Sequence, residues 1–309
     1  MTDKKIGVVF PGQGSQYVGM CKDLYNNFEI VREIFDIGSR ICGFDISSAC
    51  FDGPIERLTD TQVCQVCIFA VSFACLKVIQ GEITFSPVFA AGHSLGEYTA
   101  FVSADALTLT DAFDLISKRA VFMKDATIEN PGGMIAVIGK TLQEVQDIIS
   151  NFNDVYISNI NAPGQIVVGG SDKGIQFFTN WCSEKHIKAI PLNVSGAFHT
   201  PLMQPAASRL SDEIDKINIR ECRFPVYVNY NGRPVAHPQE IKDALKKQIT
   251  HPVQWVKIIE SVSPNVDLII ECGPKKVLSG LIKKIKPQIQ VYNIEDMPTL
   301  NKTIEFMKL

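Results

Sequence analysis

The stretch Pro87-Val88-Phe89-Ala90-Ala91 runs straight into Gly92-His93-Ser94-Leu95-Gly96, and few chain paths accommodate that order. A short apolar run bounded by turn residues reads as a buried strand. A serine between two glycines then reads as a sharp turn, and a helix beginning near Leu95 carries the chain away. A related beginning stands at the N-terminus, where Ile6-Gly7-Val8-Val9-Phe10 ends in the breaker Pro11-Gly12-Gln13-Gly14. Helical periodicity covers about Glu29 to Cys42, Thr61 to Ile79 and Asp111 to Ala126. Strands and helices in alternation predict an α/β domain with a largely parallel sheet.

The pattern changes after Asn130-Pro131-Gly132-Gly133. Strands are expected at Met134–Gly139, Val155–Ile160, Gln165–Gly169 and Ile187–Leu192, with helices at Leu142–Asn151 and Gly174–Lys185. That order, βαββαβ, is the order of a ferredoxin-like unit. The expected division is a small subdomain at residues 129–195 inserted into a large α/β domain made of residues 1–128 and 196–309. Helices at Thr200–Lys216, Pro238–Thr250, Val253–Ser263 and Val277–Lys284, with a strand at Leu268–Glu271, complete the large domain.

Composition narrows the functional classes. With 309 residues, 46% of them hydrophobic, the chain can bury a sizeable core. A formal net charge of -3 gives no reason to expect nucleic acid or a membrane surface as partner. No apolar run of roughly 18 residues stands out as a membrane helix, and the N-terminus reads as a first strand rather than a secretory signal. Nine cysteines, an odd number without metal-site spacing, favour a reduced cytoplasmic setting and no metal. Cys64 and Cys67 have CxxC spacing but fall in an amphipathic run, Gln62–Val78, where they read as buried helical thiols.

A serine hydroxyl needs a base, an exposed position and donors for an oxyanion before it can act as a nucleophile. Gly92 and Gly96 suit the strained strand-to-helix turn on which Ser94 would be exposed, and the Leu95 N–H at the helix start suits oxyanion donation. Of the five histidines, His93 would point away across the turn, while His186, His237 and His251 sit at a helix end or in proline-flanked turns. His199 leaves a Ser195-Gly196-Ala197 loop at a helix start. From there it can reach another element, as a base or as a satisfied structural residue. Arg119 falls beside the apolar stripe of Phe113, Leu115, Ile116, Ala120, Phe122 and Met123. A guanidinium there calls for a carboxylate partner, from the protein or from a substrate.

These residues resemble a known family, the malonyl-coenzyme A:acyl carrier protein transacylases and the related acyltransferase domains of polyketide synthases. The matching blocks are Phe10–Gln16, Thr61 with Gln65, Gly92–Glu97, Arg119 with Met123, and Asn159–Gln165. They continue with Val194–Met203, Gln248 before Pro252–Trp255, and Glu271–Pro274. The resemblance implies a hydrolase-like α/β core, with a mostly parallel sheet, carrying an inserted ferredoxin-like subdomain. It implies Ser94 as nucleophile, His199 as base and acid, the Gln248 backbone carbonyl orienting His199, and the Gln13 and Leu95 amides as oxyanion hole. Arg119 would clamp the malonyl carboxylate, with Phe198, Gln165 and Asn161 also on the substrate side. Malonyl-coenzyme A would be a substrate, with no permanently bound cofactor. The partner would be an acidic, phosphopantetheinylated acyl carrier protein in fatty acid biosynthesis, served by a monomer.

Leu95 and Phe198 resemble malonyl-selective members, because a phenyl ring near the α-carbon leaves little space for a methyl branch. Val66, Cys67, Ala120, Lys124 and Lys275 depart from the family pattern without removing a catalytic group. Lys275, Lys276, Lys283, Lys284 and Lys286, with Lys242, Lys246 and Lys247 upstream, read either as solvated lysines or as a docking surface for an acidic carrier protein or for the coenzyme A phosphates. Three other readings stand beside the transacylase: a trans-acting polyketide synthase acyltransferase, a thioesterase or esterase with Asp154 or Asp172 completing a triad, and a non-catalytic scaffold.

Overall fold

The computed structural model describes residues 4–308. Ten strands carry the architecture: β1 (Ile6–Phe10), β2 (Phe89–Gly92), β3 (Gly132–Ile138), β4 (Val155–Ala162), β5 (Gln165–Ser171), β6 (Ala189–Pro191), β7 (Val226–Tyr227), β8 (Pro234–Val235), β9 (Leu268–Cys272) and β10 (Gln290–Ile294). They form a six-stranded sheet in the order β10-β9-β1-β2-β7-β8 and a four-stranded sheet in the order β4-β5-β3-β6. Pairing in the large sheet is parallel except for the β7–β8 hairpin. This is a mixed α/β fold.

The central strand shows why both faces of the large sheet are covered. Every residue of β1 is buried, and alternate side chains point to opposite faces. Ile6, Val8 and Phe10 join the main core, together with Ala90 of β2 and Leu268, Ile270 and Cys272 of β9. Val9, Phe89, Ala91 and Ile269 face the other way, onto Trp255, Ile258 and Ile282. Such strands must be apolar throughout, which is how the stretches at Ile6 and Val88 read in the sequence.

The small sheet follows the expected βαββαβ order and is antiparallel throughout, with helices Leu142–Ile149 and Asp172–Glu184. Its own core gathers Ile135, Val137, Val168 and Phe178. The two sheets are tied near the site by Val253, whose N–H donates to Ser158 O and whose O accepts from Ile160 N–H.

Several expectations need correction. The helix Thr61–Glu82 is, by length and composition alone, able to cross a membrane, contrary to the expectation that no apolar run is long enough to do so. In the fold 83% of its most apolar window is buried, where it packs against helices Glu29–Cys42 and Leu109–Glu129. The expected helix Thr200–Lys216 is a short 3-10 turn, Pro201–Met203, followed by the helix Gln204–Lys216. Pro205, which has no N–H to donate, stands in that helix's first turn. The helix expected from Val253 begins at Trp255, since Val253 bridges to Asn159 instead. Strands β7, β8 and β10 and the last helix, Met297–Lys308, were not anticipated.

Candidate active site

β1 and β2 are parallel neighbours with Phe10 opposite Gly92, so the two glycine-containing turns leave the sheet side by side at its carboxyl edge, where open α/β sheets bind ligands. The approach is too close for side chains. A Cβ on Gly92 would lie 1.9 Å from the Gly96 carbonyl carbon, and one on Gly96 would lie 2.1 Å from Phe10 O. Between these glycines Ser94 has φ +51°, a left-handed conformation that costs a non-glycine residue about 1 kcal/mol or more. Asn229 holds it there: Ser94 N–H donates to Asn229 Oδ1 at 2.7 Å, and Asn229 Nδ2 donates to Gly92 O at 2.6 Å.

His199 reaches the serine from the opposite loop, itself at φ +61°. Its Nε2 is 2.7 Å from Ser94 Oγ, and its Nδ1 is 2.9 Å from the backbone oxygen of Gln248. A carbonyl oxygen only accepts, so Nδ1 carries the hydrogen and Nε2 is left as the acceptor for the serine O–H. That carbonyl is available because the helix Pro238–Gln248 ends there, and the last carbonyls of a helix lack intrahelical partners. Burial, and then the Arg119 charge, push His199 down to about 3, which keeps the imidazole neutral at neutral pH with Nε2 unprotonated. Ser158 Oγ, from the small sheet, donates to Phe198 O at 2.6 Å and pins the loop.

Arg119 is 1% exposed. Its two terminal nitrogens donate to Gln65 Oε1 at 2.5 Å, Gln248 Oε1 at 3.0 Å and Ser94 Oγ at 3.2 Å, and its Cζ lies over the Tyr98 ring, 5.4 Å from the centroid. Among the described residues no carboxylate comes within ion-pair distance of it, and its Nε has no partner. A buried cation held only by neutral acceptors can receive an anion from outside.

In front of Ser94 lies a cavity of about 90 Å³, bordered by Gln13, Leu95, Arg119, Phe198 and His199 among others. A second, of about 310 Å³, shares Gln13 and Val194 with it and continues past Thr61 and Lys124. Leu95 immediately precedes the helix Gly96–Ser103, whose Gly96, Glu97 and Tyr98 amides bond back to the His93, Ser94 and Leu95 carbonyls. The arrangement can deprotonate a serine, place an acyl carbon over it and hold a carboxylate beside it. Among the described residues no cluster of three or more His, Cys, Asp or Glu could hold a metal ion.

Other anticipated residues fall elsewhere. Asn161 does not border the cavity; its Oδ1 is 2.8 Å from His93 Nε2, which turns His93 away from the serine. Gln165, at the start of β5, accepts from Lys284 Nζ at 3.1 Å on the surface. Asn159, two residues before Asn161, is the asparagine that borders the cavity, with its buried Oδ1 unpartnered. Neither Asp154 nor Asp172 partners His199, whose Nδ1 is taken by Gln248. Lys275, Lys276, Lys283 and Lys284 are exposed, whereas Lys246 is paired with Asp215 and Lys247 lies over Tyr230. All nine cysteines are free thiols, eight of them buried, Cys64 and Cys67 included.

Sequence reasoning assigned no role to Glu97, Asn229 or Asn159. Glu97 is fully buried, accepts from Asn229 N–H at 2.5 Å and from Gln248 Nε2 at 3.0 Å, and is pushed by burial up to about 8. Its position directly after the glycine-flanked serine was the available signal. Asn229 had none, standing in a loop after a two-residue strand.

The family description "Acyl transferase domain" matches residues 8–302. The chain is 37% identical over 310 residues to the malonyl CoA-acyl carrier protein transacylase of Bacillus subtilis, covering 98% of each, and 35% identical to that of Haemophilus influenzae, covering 98% of this chain and 99% of the other. Among solved structures it is similar to the malonyl CoA-acyl carrier protein transacylase of Coxiella burnetii, with TM-score 0.95, 33% identity and complete coverage of both chains. It is also similar to a malonyl-transacylase solved in complex with a type II PKS acyl-carrier protein, with TM-score 0.92, 32% identity and coverage of 98% and 99%.

Proposed function

This chain belongs to the acyl transferase domain family, and from its cleft we infer that it carries malonyl from coenzyme A to the thiol of an acyl carrier protein through an ester on Ser94. The enzyme is an acyltransferase, an acyl carrier protein S-malonyltransferase. The observation that carries the assignment of roles is Arg119, a buried guanidinium with no carboxylate at ion-pair distance among the described residues, bonded to the same Oγ that His199 addresses.

The reaction runs in two halves. His199 Nε2 takes the Ser94 proton as Oγ attacks the malonyl thioester carbon. The resulting oxyanion is held by the Gln13 and Leu95 N–H groups, and the C–S bond breaks with the proton passing from His199 to the coenzyme A sulfur. The phosphopantetheine thiol of the carrier then gives its proton to His199 and attacks the ester. Ser94 leaves with that proton, and the malonyl group departs on the carrier. Arg119 holds the free carboxylate throughout, which fixes the acyl carbon against both nucleophiles. The larger cavity beside Gln13 suits the pantetheine arm of either thioester. Phe198, at the wall, disfavours a branched acyl group, a methylene-scale discrimination of about 1–3 kcal/mol.

Several finer points belong to the same proposal. The mechanism requires no permanent cofactor, the site is complete within one chain and suits a monomer, and the free thiols suit the cytoplasm. The exposed lysines Lys275, Lys276, Lys283 and Lys284 suit an acidic carrier, with Gln165 bonded to Lys284 and Asn161 acting through His93. The spans of the two sheets support a division at about residues 129 and 195.

Labelled malonyl-coenzyme A with and without carrier protein tests the reading. Malonyl-carrier is the expected product, and free malonate as main product overturns it. Arg119→Ala is expected to lower kcat/KM for malonyl-coenzyme A by about 100-fold or more, as loss of a buried charge pair implies, and for acetyl-coenzyme A by much less. Equal losses refute the clamp.

A further inference from the structure

Gln248 contributes a buried side chain to this site as well as a carbonyl. The amide nitrogen donates to Ser94 O at 2.9 Å and to Glu97 Oε1 at 3.0 Å, while the amide oxygen accepts from Arg119 at 3.0 Å. Acceptors at one end and a donor at the other leave the amide a single orientation. Glu97 is anchored in turn, since its second oxygen accepts from Asn229 N–H. We propose that the Gln248 side chain, fixed end for end by Glu97, is a positioning residue that aims Arg119 at the acyl carboxylate and so sets the preference for malonyl over uncharged acyl groups. The proposal rests on the reading of Arg119 as the malonyl clamp.

The physical problem is to keep a buried cation charged and yet unoccupied. A carboxylate directly on Arg119 would form the bidentate pair meant for substrate, and an apolar wall would leave the guanidinium's hydrogens unsatisfied. The structure interposes one amide. Glu97 supplies two acceptor oxygens at one amide's remove, one holding the Gln248 amide and the other anchored by Asn229 N–H, while Arg119 is bonded only to the neutral oxygens of Gln248, Gln65 and Ser94. The network spans three separated segments, and Glu97, Arg119 and Gln248 are each at most 1% exposed. Its hydrogen bonds run to Ser94, Gln65 and Asn229 and, among the described residues, to no lysine, so its effect is on the acyl group rather than on the carrier.

Two substitutions test it, each keeping the backbone carbonyl that holds His199. Gln248→Glu places a carboxylate on Arg119 that competes with malonyl. Glu97→Gln presents an NH2 group to one of two donors, and the relief is to turn the Gln248 amide over, which sets its NH2 against Arg119. The measurements are kcat and KM for malonyl- and acetyl-coenzyme A, with thermal melting of each variant and Arg119→Ala as reference. The expected result is a malonyl-to-acetyl preference lowered by about 10-fold or more in both variants, chiefly through KM for malonyl-coenzyme A. If one variant does not fold, the other decides. Equal losses for the two thioesters, or an unchanged preference, overturn the proposal. Such a result beside a selective loss in Arg119→Ala would leave the clamp standing and remove only the role of Gln248. An unselective Arg119→Ala would remove the clamp itself and this proposal with it.

Discussion

Replacing Asn229 by alanine removes the two hydrogen bonds that hold the serine turn in its left-handed conformation. Ser94 N–H and Gly92 O both lose their partner at a position where Asn229 is fully buried. Each buried group left unsatisfied costs about 1–3 kcal/mol. Water admitted into the vacated side-chain volume would recover part of that, so a net loss of about 3 kcal/mol is expected. The strained φ of Ser94 is then no longer enforced, and the serine oxygen drifts from His199 Nε2. If the same 3 kcal/mol is lost from the acylation transition state, the rate falls by roughly 100-fold. Asn229→Asp should not rescue it, because one carboxylate oxygen would face the Gly92 carbonyl oxygen and the charge would be buried. Urea denaturation measures the stability change and single-turnover acylation by malonyl-coenzyme A measures the rate. An alanine variant that acylates within about threefold of the parent and loses under about 0.5 kcal/mol would refute the account of the turn.

His199 makes stability depend on pH with a definite sign. Its folded value of about 3 lies below the ordinary histidine value of about 6.5. Between the two the unfolded chain binds the extra proton, and stability falls as pH drops below about 6.5, by up to about 1.4 kcal/mol per unit. Glu97, pushed up to about 8, works oppositely between its ordinary value and that pH. The difference in stability between the parent and His199→Gln isolates the histidine: it should narrow as pH falls from 7 to about 5, and a constant difference would contradict the assignment. Lys275 has φ +62° and its N–H bond to Glu295 survives loss of the side chain. Lys275→Gly should therefore gain roughly 0.5–1 kcal/mol in chemical denaturation, and a loss would show that the lysine side chain outweighs the strain.

What could be read from the chain alone follows from how local the governing physics is. β1, β2 and the βαββαβ order announce themselves through runs of apolar residues and the breakers between them, so the two sheets were visible in outline. β7 and β8 have two residues each, too few for any periodicity, and exist because β2 offers an edge. The glycines around Ser94 carried a steric message that the Cβ distances make explicit. His199 was separable from the other histidines by its loop, but only the fold places it 2.7 Å from a serine 105 residues away. Arg119 was visible as a cation on an apolar stripe, whereas its partners Gln65 and Gln248 come from distant helices and are neutral, the reverse of the carboxylate that helix reasoning demands. Asn229 and Glu97 escaped because their meaning lies wholly in contacts across more than 130 residues.

The central claim is that Ser94 itself carries the malonyl group. Mixing the protein with malonyl-coenzyme A in the absence of any carrier, quenching in acid and measuring intact mass, followed by peptide mapping, tests it most directly. One malonyl adduct per chain on the peptide containing Ser94 is expected, discharged on adding the carrier protein and absent from Ser94→Ala. An adduct that persists in Ser94→Ala, or full transfer activity by that variant, would contradict the account.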